Sequence, residues 1–121
     1  MIAADTSALI AFLEGMLGQD VEQLGMAAAS GNLVLPPVTV VEVLSASTRL
    51  QAILLNVTLL ETKPGYWERA GQNRCLLREK GLKANLGDTL IAQSCIDHDV
   101  PLITRDDDFR HFARHCGLKL V

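Results

Sequence analysis

The sequence predicts one α/β domain, built on a central, mostly parallel β-sheet of about five short strands with helices on both faces. Short apolar segments alternate with longer segments of helical periodicity along the whole chain. This alternation is typical of parallel sheets, because a helix carries the chain back to the start of the next strand. The apolar segments lack polar alternation, which indicates strands that are buried on both faces.

Size and composition agree with that architecture. The chain has 121 residues, of which 49% are hydrophobic and 21% are charged. This is enough apolar material for one core, so we expect residues 1–121 to form a single domain. No apolar segment reaches the roughly 20 residues of a membrane span, and we expect no membrane partner. Three scattered cysteines argue against a disulfide framework and favour the cytoplasm.

The predicted strands are the short apolar segments. Two prolines, Pro36 and Pro37, close the second of them. The five predicted strands are Ile2–Asp5, Leu33–Leu35, Val57–Leu60, Pro101–Thr104 and Leu118–Val121.

The predicted helices carry apolar residues three and four positions apart. Thr6 and Ser7 can cap the first helix, and Gly31 and Gly81 end the second and the fourth. The predicted helices are Ala8–Leu17, Asp20–Ser30, Val38–Leu50 with an extension to Leu55, Tyr66–Lys80, Leu86–Asp97 and Asp108–His115.

Acidic residues follow the predicted strands or lie in the helices beside them. Asp5 ends the first strand, Glu42 lies in the helix after the second, and Asp106 follows the fourth. With right-handed crossovers, the carboxyl ends of parallel strands share one edge of the sheet, where ligands bind. Asp5, Glu42 and Asp106 can therefore meet, and Asp88 joins them if its helix begins at the same edge.

Clustered carboxylates repel one another, so either their pKa values rise or a cation compensates the charge. Mg²⁺ or Mn²⁺ suits oxygen ligands of this kind. Such an ion activates water and stabilises phosphoryl oxygens, as phosphodiester hydrolysis requires. Each acid also has an ordinary structural role open to it, because helix N-termini and turns favour acidic residues.

Four motifs, in order and at matching intervals, resemble those of PIN-domain ribonucleases, most closely the VapC-type toxins of bacterial and archaeal toxin–antitoxin pairs. The resemblance covers essentially the whole chain. The motifs are Ala4–Ile10 (ADTSALI), Pro37–Leu44 (PVTVVEVL), Leu86–Ala92 (LGDTLIA) and Leu102–Phe109 (LITRDDDF).

The resemblance implies an Mg²⁺- or Mn²⁺-dependent endoribonuclease. Ser7 is implied to position water or phosphate, and Thr104 to be the polar residue at the end of the fourth strand; both are assigned to substrate binding. Asp108 is implied to support a ligand or a second metal ion. Asp107 departs from the family pattern and leaves open which acids of the run 106–108 bind metal. The residues implied to hold the metal and to catalyse are Asp5, Glu42, Asp88 and Asp106.

Basic residues supply the predicted contacts with substrate. The net charge is −3, yet no Lys or Arg precedes Arg49. The basic residues of the second half form either a phosphate-binding rim or a solvated helix surface. Arg74 and Arg78, one helical turn apart, face a phosphate together or pair with Glu79 or solvent. Arg105, beside the terminal acids, is assigned to the same substrate-binding group.

The resemblance also implies partners. Family members cleave RNA, often transfer RNA or ribosomal RNA, and leave a 5′-phosphate and a 3′-hydroxyl. Toxin members form homodimers and are inhibited by a cognate antitoxin. The alternative is a PIN-fold protein that acts as a binding or dimerisation partner without catalysis, and the intact set of four acids argues against it.

Overall fold

The computed structural model describes all 121 residues and contains a four-stranded, fully parallel sheet with the strand order β3-β2-β1-β4. The single α/β domain architecture predicted from the sequence is confirmed. The strands are β1 (Ile2–Ala4), β2 (Leu33–Leu35), β3 (Thr58–Leu59) and β4 (Leu102–Ile103).

Seven helices surround the sheet. They are α1 (Thr6–Leu13), α2 (Gln19–Ala29), α3 (Pro37–Ala46), α4 (Gln51–Leu54), α5 (Tyr66–Glu79), α6 (Leu86–His98) and α7 (Phe109–His115). None of these helices combines the length and the apolar character that crossing a lipid bilayer would require.

The predicted fifth strand is reduced to a single bridge. Leu120 forms one parallel bridge with Leu102, flanked by hydrogen bonds from Leu102 N to Lys119 O and from Val121 N to Leu102 O. Leu102 is the only β4 residue that pairs with this segment, so no ladder of two or more residue pairs forms. The sheet therefore has four strands rather than five.

Two predicted helix boundaries are also wrong. The first helix begins at Thr6, with Asp5 rather than a hydroxyl residue as its N-cap, and it ends at Leu13. The helix predicted to run through Leu50 stops at Ala46, because Ser47 adopts an extended conformation and its hydroxyl accepts a hydrogen bond from Arg49 N. Serine side chains compete in this way for backbone donors, which interrupts helices.

Two apolar clusters fill the space between the sheet and the helices. One contains Phe109, Phe112 and Leu77, which are all fully buried. The other contains Leu9 and Leu24 beside the sheet. The sheet is covered by side chains of both clusters, as its unbroken apolar strands require.

Helices α5 and α6 are joined by a polar network as well as by apolar packing. Arg69 donates two hydrogen bonds to the Asp97 carboxylate, at 2.9 and 2.7 Å. Gln93 Nε2 donates to the same carboxylate at 2.9 Å, and Asn73 Nδ2 donates to Gln93 Oε1 at 2.7 Å. Since the Asp97 side chain is only 6% exposed, this network fixes the spacing of the two helices.

Replacing Asp97 with alanine is expected to destabilise the protein by about 2–3 kcal/mol, because Arg69 and Gln93 lose their shared acceptor. Urea denaturation measures the change. The matched control is Glu68→Ala, an exposed acid on α5, for which we expect at most about 0.5 kcal/mol. Equal effects of the two variants would show that the network contributes nothing specific.

Candidate metal centre

Three carboxylates converge at the carboxyl edge of the sheet. Asp88 lies in the first turn of α6, Asp106 follows β4, and Asp108 directly precedes α7. One oxygen from each of them lies within 4.8 Å of the other two, and all three residues are half-buried. The structure thus brings together two of the four acids assigned to catalysis, Asp88 and Asp106, and also Asp108.

The crowding of negative charge has a clear electrostatic consequence at Asp88. Burial, followed by the charge of Asp106 and then of the other acids, raises the pKa of the Asp88 carboxyl to about 6. Glu42, Asp5 and Asp108 all contribute to that rise. The acids assigned from the sequence therefore share one electrostatic environment, although Asp5 and Glu42 lie outside the three-carboxylate group.

Asp5 is the most deeply buried of these acids, with 3% of its surface exposed. Its carboxylate accepts hydrogen bonds from the backbone N–H of Ala8 at 3.0 Å, from the Ser7 hydroxyl at 2.8 and 2.9 Å, and from the Thr104 hydroxyl at 2.7 Å. Burial raises the pKa of Asp5, and these hydrogen bonds oppose the rise. Asp5 therefore caps α1 and ties β1 to the end of β4.

The hydroxyls of Ser7 and Thr104 also accept hydrogen bonds from the backbone that follows β4. The Ser7 hydroxyl accepts from the backbone N–H of Arg105 at 3.0 Å, and the Thr104 hydroxyl accepts from the N–H of Asp106 at 2.9 Å. Both side chains thus fix the backbone that presents Asp106. Their assignment to substrate binding stays a prediction.

Glu42 reaches the site from α3 because a glycine lies opposite it. Its Oε1 accepts a hydrogen bond from the Thr6 hydroxyl. Its Oε2 would lie only 2.8 Å from a Cβ atom at Gly87, one residue before Asp88. Any side chain at position 87 would push the Glu42 carboxylate away from α6. The sequence motif contains this glycine, but nothing in the motif revealed its steric role.

The three acids that follow β4, residues 106–108, do not all have the same surroundings. Asp106 Oδ1 accepts from the backbone N–H of Asp108 at 2.9 Å, and both residues belong to the three-carboxylate group. Asp107 is exposed and pairs only with Arg110, at 3.4 Å. The two outer acids share one side because residues 106–108 form a turn, with Asp108 in the helical region of the backbone, rather than an extended segment.

Lys83 is a contact that sequence reasoning missed. Its ammonium group lies 3.1 Å from Asp108 Oδ2 and 62% of its side chain is exposed. The pKa of Lys83 is raised chiefly by Asp108, with smaller contributions from Asp106 and Asp88. No spacing rule links a lysine in the loop before α6 with an acid 25 positions later, so only the fold reveals the pair.

The three arginines assigned to substrate binding lie in two different places. Arg105 donates to both oxygens of Asp20 on α2 and to the Leu17 carbonyl, which holds the start of α2 against the end of β4. Arg74 and Arg78 line a groove between α5 and α6. Glu79 accepts from the Cys75 thiol and is not their ion-pair partner. Substrate contact by all three arginines stays a prediction.

The donor set fits a hard divalent cation. The three-carboxylate group contains oxygen donors alone, with neither imidazole nor thiol, which favours Mg²⁺ or Mn²⁺ over zinc. Burial and then the neighbouring carboxylates raise the pKa of Asp88, so its charged form is disfavoured in this environment. A bound cation would favour that charged form.

The fold and the site define a parallel α/β domain with a carboxylate centre at the carboxyl edge of its sheet. The family model described as PIN domain matches residues 2–115, so the chain belongs to the PIN-domain family. No curated protein matches the sequence.

Solved structures support this assignment of the fold. A chain of VapBC2 from Rickettsia felis, bound to a DNA fragment from their promoter, is similar with a TM-score of 0.76 and 19% identity, covering 100% of this chain and 98% of that chain. DNA-bound VapBC from Salmonella typhimurium gives a TM-score of 0.73 at 15% identity, covering 99% and 96%. FitAcB from Neisseria gonorrhoeae gives 0.72 at 20% identity, also covering 99% and 96%. At these identities the similarity establishes the PIN fold.

Asp88→Asn is expected to stabilise the metal-free protein. The folded pKa of about 6 lies above the ordinary value of 3.8, so charging Asp88 opposes folding above pH 6, and the penalty disappears below about pH 4. After allowance for solvent screening, we expect a gain of about 1 kcal/mol near pH 8 that fades towards pH 4. Chemical denaturation in chelator across this range measures it.

The control for Asp88→Asn is Asp107→Asn, because Asp107 is exposed and outside the three-carboxylate group. This control variant is expected to show no pH-dependent gain. If Asp88→Asn and wild type had the same free energy of unfolding at every pH, the result would contradict the crowding of charge at Asp88.

Asp5→Ala is expected to have the opposite effect and to destabilise the protein by about 2 kcal/mol, because α1 loses its cap and two hydroxyls lose their acceptor. Asn85→Ala is the matched control, since Asn85 is the N-cap of α6 but makes no side-chain capping bond. Thermal and urea denaturation compare the two variants, and similar losses would refute the special role of Asp5.

Proposed function

We propose that this protein is an Mg²⁺- or Mn²⁺-dependent endoribonuclease and the toxin of a VapBC-type toxin–antitoxin pair. The observation that carries the proposal is the three-carboxylate group, with its raised Asp88 pKa, at the edge of a PIN-family sheet. A cluster of this kind favours a divalent cation, and hydrolysis of a phosphodiester bond is the chemistry that such an ion assists.

The residues proposed to hold the metal are Asp88, Asp106 and Asp108, with Asp5 and Glu42 beside them. When bound, the metal supplies Lewis-acid activation of water and neutralises charge on the phosphoryl oxygens. Ser7 and Thr104 hold the backbone of the Asp106 segment in place. The Thr6 hydroxyl and the space at Gly87 orient Glu42. These contacts preorganise the carboxylates, so little rearrangement accompanies the reaction.

Lys83 provides a positive charge at the margin of the same site. Its ammonium group neutralises part of the charge of Asp108 and is largely exposed. In hydrolysis, water adds to phosphorus and the bond to the 3′ oxygen breaks, which leaves a 5′-phosphate and a 3′-hydroxyl. A mobile cation next to the acids favours the approach of the negatively charged RNA backbone. The RNA is proposed to be a transfer RNA or a ribosomal RNA.

The proposed protein partner is a cognate antitoxin, and the proposed assembly is a homodimer. The similarity to chains of VapBC structures supports the antitoxin. The surface also offers apolar contacts, because Leu17 is 93% exposed and Leu55 is 75% exposed. Large exposed apolar side chains of this kind mark protein-binding surfaces when they are grouped. Ile53 and Leu13 line a separate apolar groove between α4 and α1.

The proposal is tested by incubating the purified, antitoxin-free protein with a mixed pool of transfer and ribosomal RNA. Cleavage is expected with Mg²⁺ or Mn²⁺ and not with chelator. Asp106→Asn is expected to lose at least about 100-fold in rate, because a carboxylate of the group is removed. Sequencing of the product ends determines the cut sites and the position of the phosphate.

Asp107→Asn is the control for this assay, since Asp107 is the exposed neighbour of both assigned acids. It is expected to cleave as wild type does. Absence of cleavage in every lane, combined with retained binding of a protein partner, would instead favour the non-catalytic PIN-fold alternative. Cleavage that persists in chelator would contradict the metal requirement.

A further inference from the structure

A groove of about 680 Å³ runs between α5 and α6. The α5 residues that line it follow the three- and four-residue spacing of one helix face, so they form a single wall roughly 16 Å long. Leu86 and Leu90 of α6 form the other side. The α5 residues of the wall are Trp67, Ala70, Gly71, Arg74, Cys75, Arg78 and Glu79.

The groove contains an exposed aromatic ring, that of Trp67, which packs against the buried ring of Tyr66. Trp67 is 64% exposed and packs edge-on against Tyr66, with ring centroids 4.9 Å apart and an interplanar angle of 84°. Tyr66 is itself buried, and its hydroxyl donates to the Leu90 carbonyl at 2.7 Å. The indole is therefore held on one side and open to solvent on the other, as a stacking platform requires.

The middle of the groove is kept open by small residues. Next to Trp67 the helix face carries Ala70 and Gly71, and a Cβ atom at Gly71 would meet nothing within 4 Å. Glycine inside an exposed helix costs up to about 1 kcal/mol relative to alanine. Its position here leaves room beside the indole, where a larger side chain would stand in the groove.

The other end of the groove carries two arginines, Arg74 and Arg78, and one acid, Glu79, whose carboxylate accepts from the Cys75 thiol. Arg69, Arg105 and Arg110 each pair with a carboxylate, whereas neither Arg74 nor Arg78 has one within 4 Å. Arg74 is oriented by its Nε, which donates to the Ala84 carbonyl at 2.9 Å, so its remaining N–H groups are available to an anion.

One short segment, Lys83–Asp88, lies between the groove and the acidic cluster. Ala84, which anchors Arg74, follows Lys83, whose ammonium group lies 3.1 Å from Asp108. On the other side, Leu86 precedes Asp88 by two residues in the first turn of α6. The segment Lys83–Asp88 therefore separates the groove from the three-carboxylate group and contributes residues to both.

From this arrangement we infer that the groove between α5 and α6 binds a single-stranded segment of the RNA next to the bond that is cut, with a base stacked on Trp67 and phosphates on Arg74 and Arg78. The inference rests on the proposed ribonuclease function. A stacking ring followed by partnerless arginines matches the alternation of bases and phosphates in a single strand. The bases of a duplex are stacked on one another and are not free to cover an indole.

The experiment measures binding of a fluorescent single-stranded RNA to the full chain by anisotropy, in chelator so that cleavage does not compete. Trp67→Leu is expected to weaken binding about tenfold, through loss of stacking. Arg78→Gln is expected to weaken it severalfold and to reduce the slope of log K against log salt by about 0.7. Arg49→Gln is the control, because Arg49 is exposed and lies outside the groove, and it is expected to bind as wild type does.

A second variant, Gly71→Leu, fills the groove without removing any contact. It is expected to retain the wild-type unfolding transition and to lose RNA affinity. Unchanged affinity in Trp67→Leu and Arg78→Gln, equal affinity for a duplex, or no binding by wild type would each overturn the inference. Dissociation of a dimer by Trp67→Leu with RNA affinity unchanged would also overturn it, and would assign the groove to contact between copies.

Failure of the inference is separable from failure of the proposed function. Metal-dependent cleavage that all three groove variants retain at wild-type efficiency would leave the ribonuclease and refute the groove. If the wild-type protein cleaved no RNA but the groove variants bound RNA more weakly than wild type, the result would support RNA binding in the groove and refute the catalytic role.

Discussion

The buried Asp5 carboxylate is the contact on which the candidate site depends. It lies at the point where β1 ends, and it accepts one backbone N–H and two hydroxyls. Those same hydroxyls, on Ser7 and Thr104, accept the N–H groups of the two residues that follow Thr104. A chain of hydrogen bonds thus runs from the first strand to the segment that carries Asp106. Neutral donors hold Asp5 and the Asp106 segment in place, and Lys83 at Asp108 is the one positive side chain paired with the group, which leaves most of the negative charge of the site uncompensated.

The uncompensated charge lowers the stability of the folded protein, although the same acids form the candidate metal site. A group of half-buried carboxylates within 4.8 Å of one another costs folding free energy, and the raised pKa of Asp88 records the cost. Lys83 offsets only part of it, because its ammonium group contacts Asp108 and is largely exposed. The apolar clusters on both faces of the sheet and the Asp97 network between α5 and α6 supply the stability that tolerates this arrangement.

The sequence predicted the parallel α/β domain and most of its elements because apolar periodicity and helix-ending glycines are local signals. It predicted that Asp5, Glu42 and Asp106 meet at one edge, because the direction of parallel strands fixes where their ends lie, and it included Asp88 only on the condition that its helix begins there. The fifth strand was wrong because residues 118–121 form only one bridge with β4, and apolar composition does not determine how many residues pair. Lys83, the Gly87 space for Glu42 and the pairing of Arg105 with Asp20 involve residues distant in sequence. No local pattern encodes such contacts, since they depend on how the elements pack.

The distribution of charge explains how a chain with a net charge of −3 is compatible with a polyanionic substrate. The acids are concentrated at one edge of the sheet, while Arg74 and Arg78 lie in the adjoining groove without carboxylate partners. At an ionic strength near 0.15 M, interactions between exposed charges are screened over about 8 Å, so local charge outweighs net charge. The acidic cluster repels phosphate unless a cation neutralises it, whereas the two arginines of the groove attract phosphate without one. Under the proposed function, binding of RNA beside the cluster and binding of a divalent cation within it would therefore be thermodynamically coupled, and by linkage each would increase the affinity for the other.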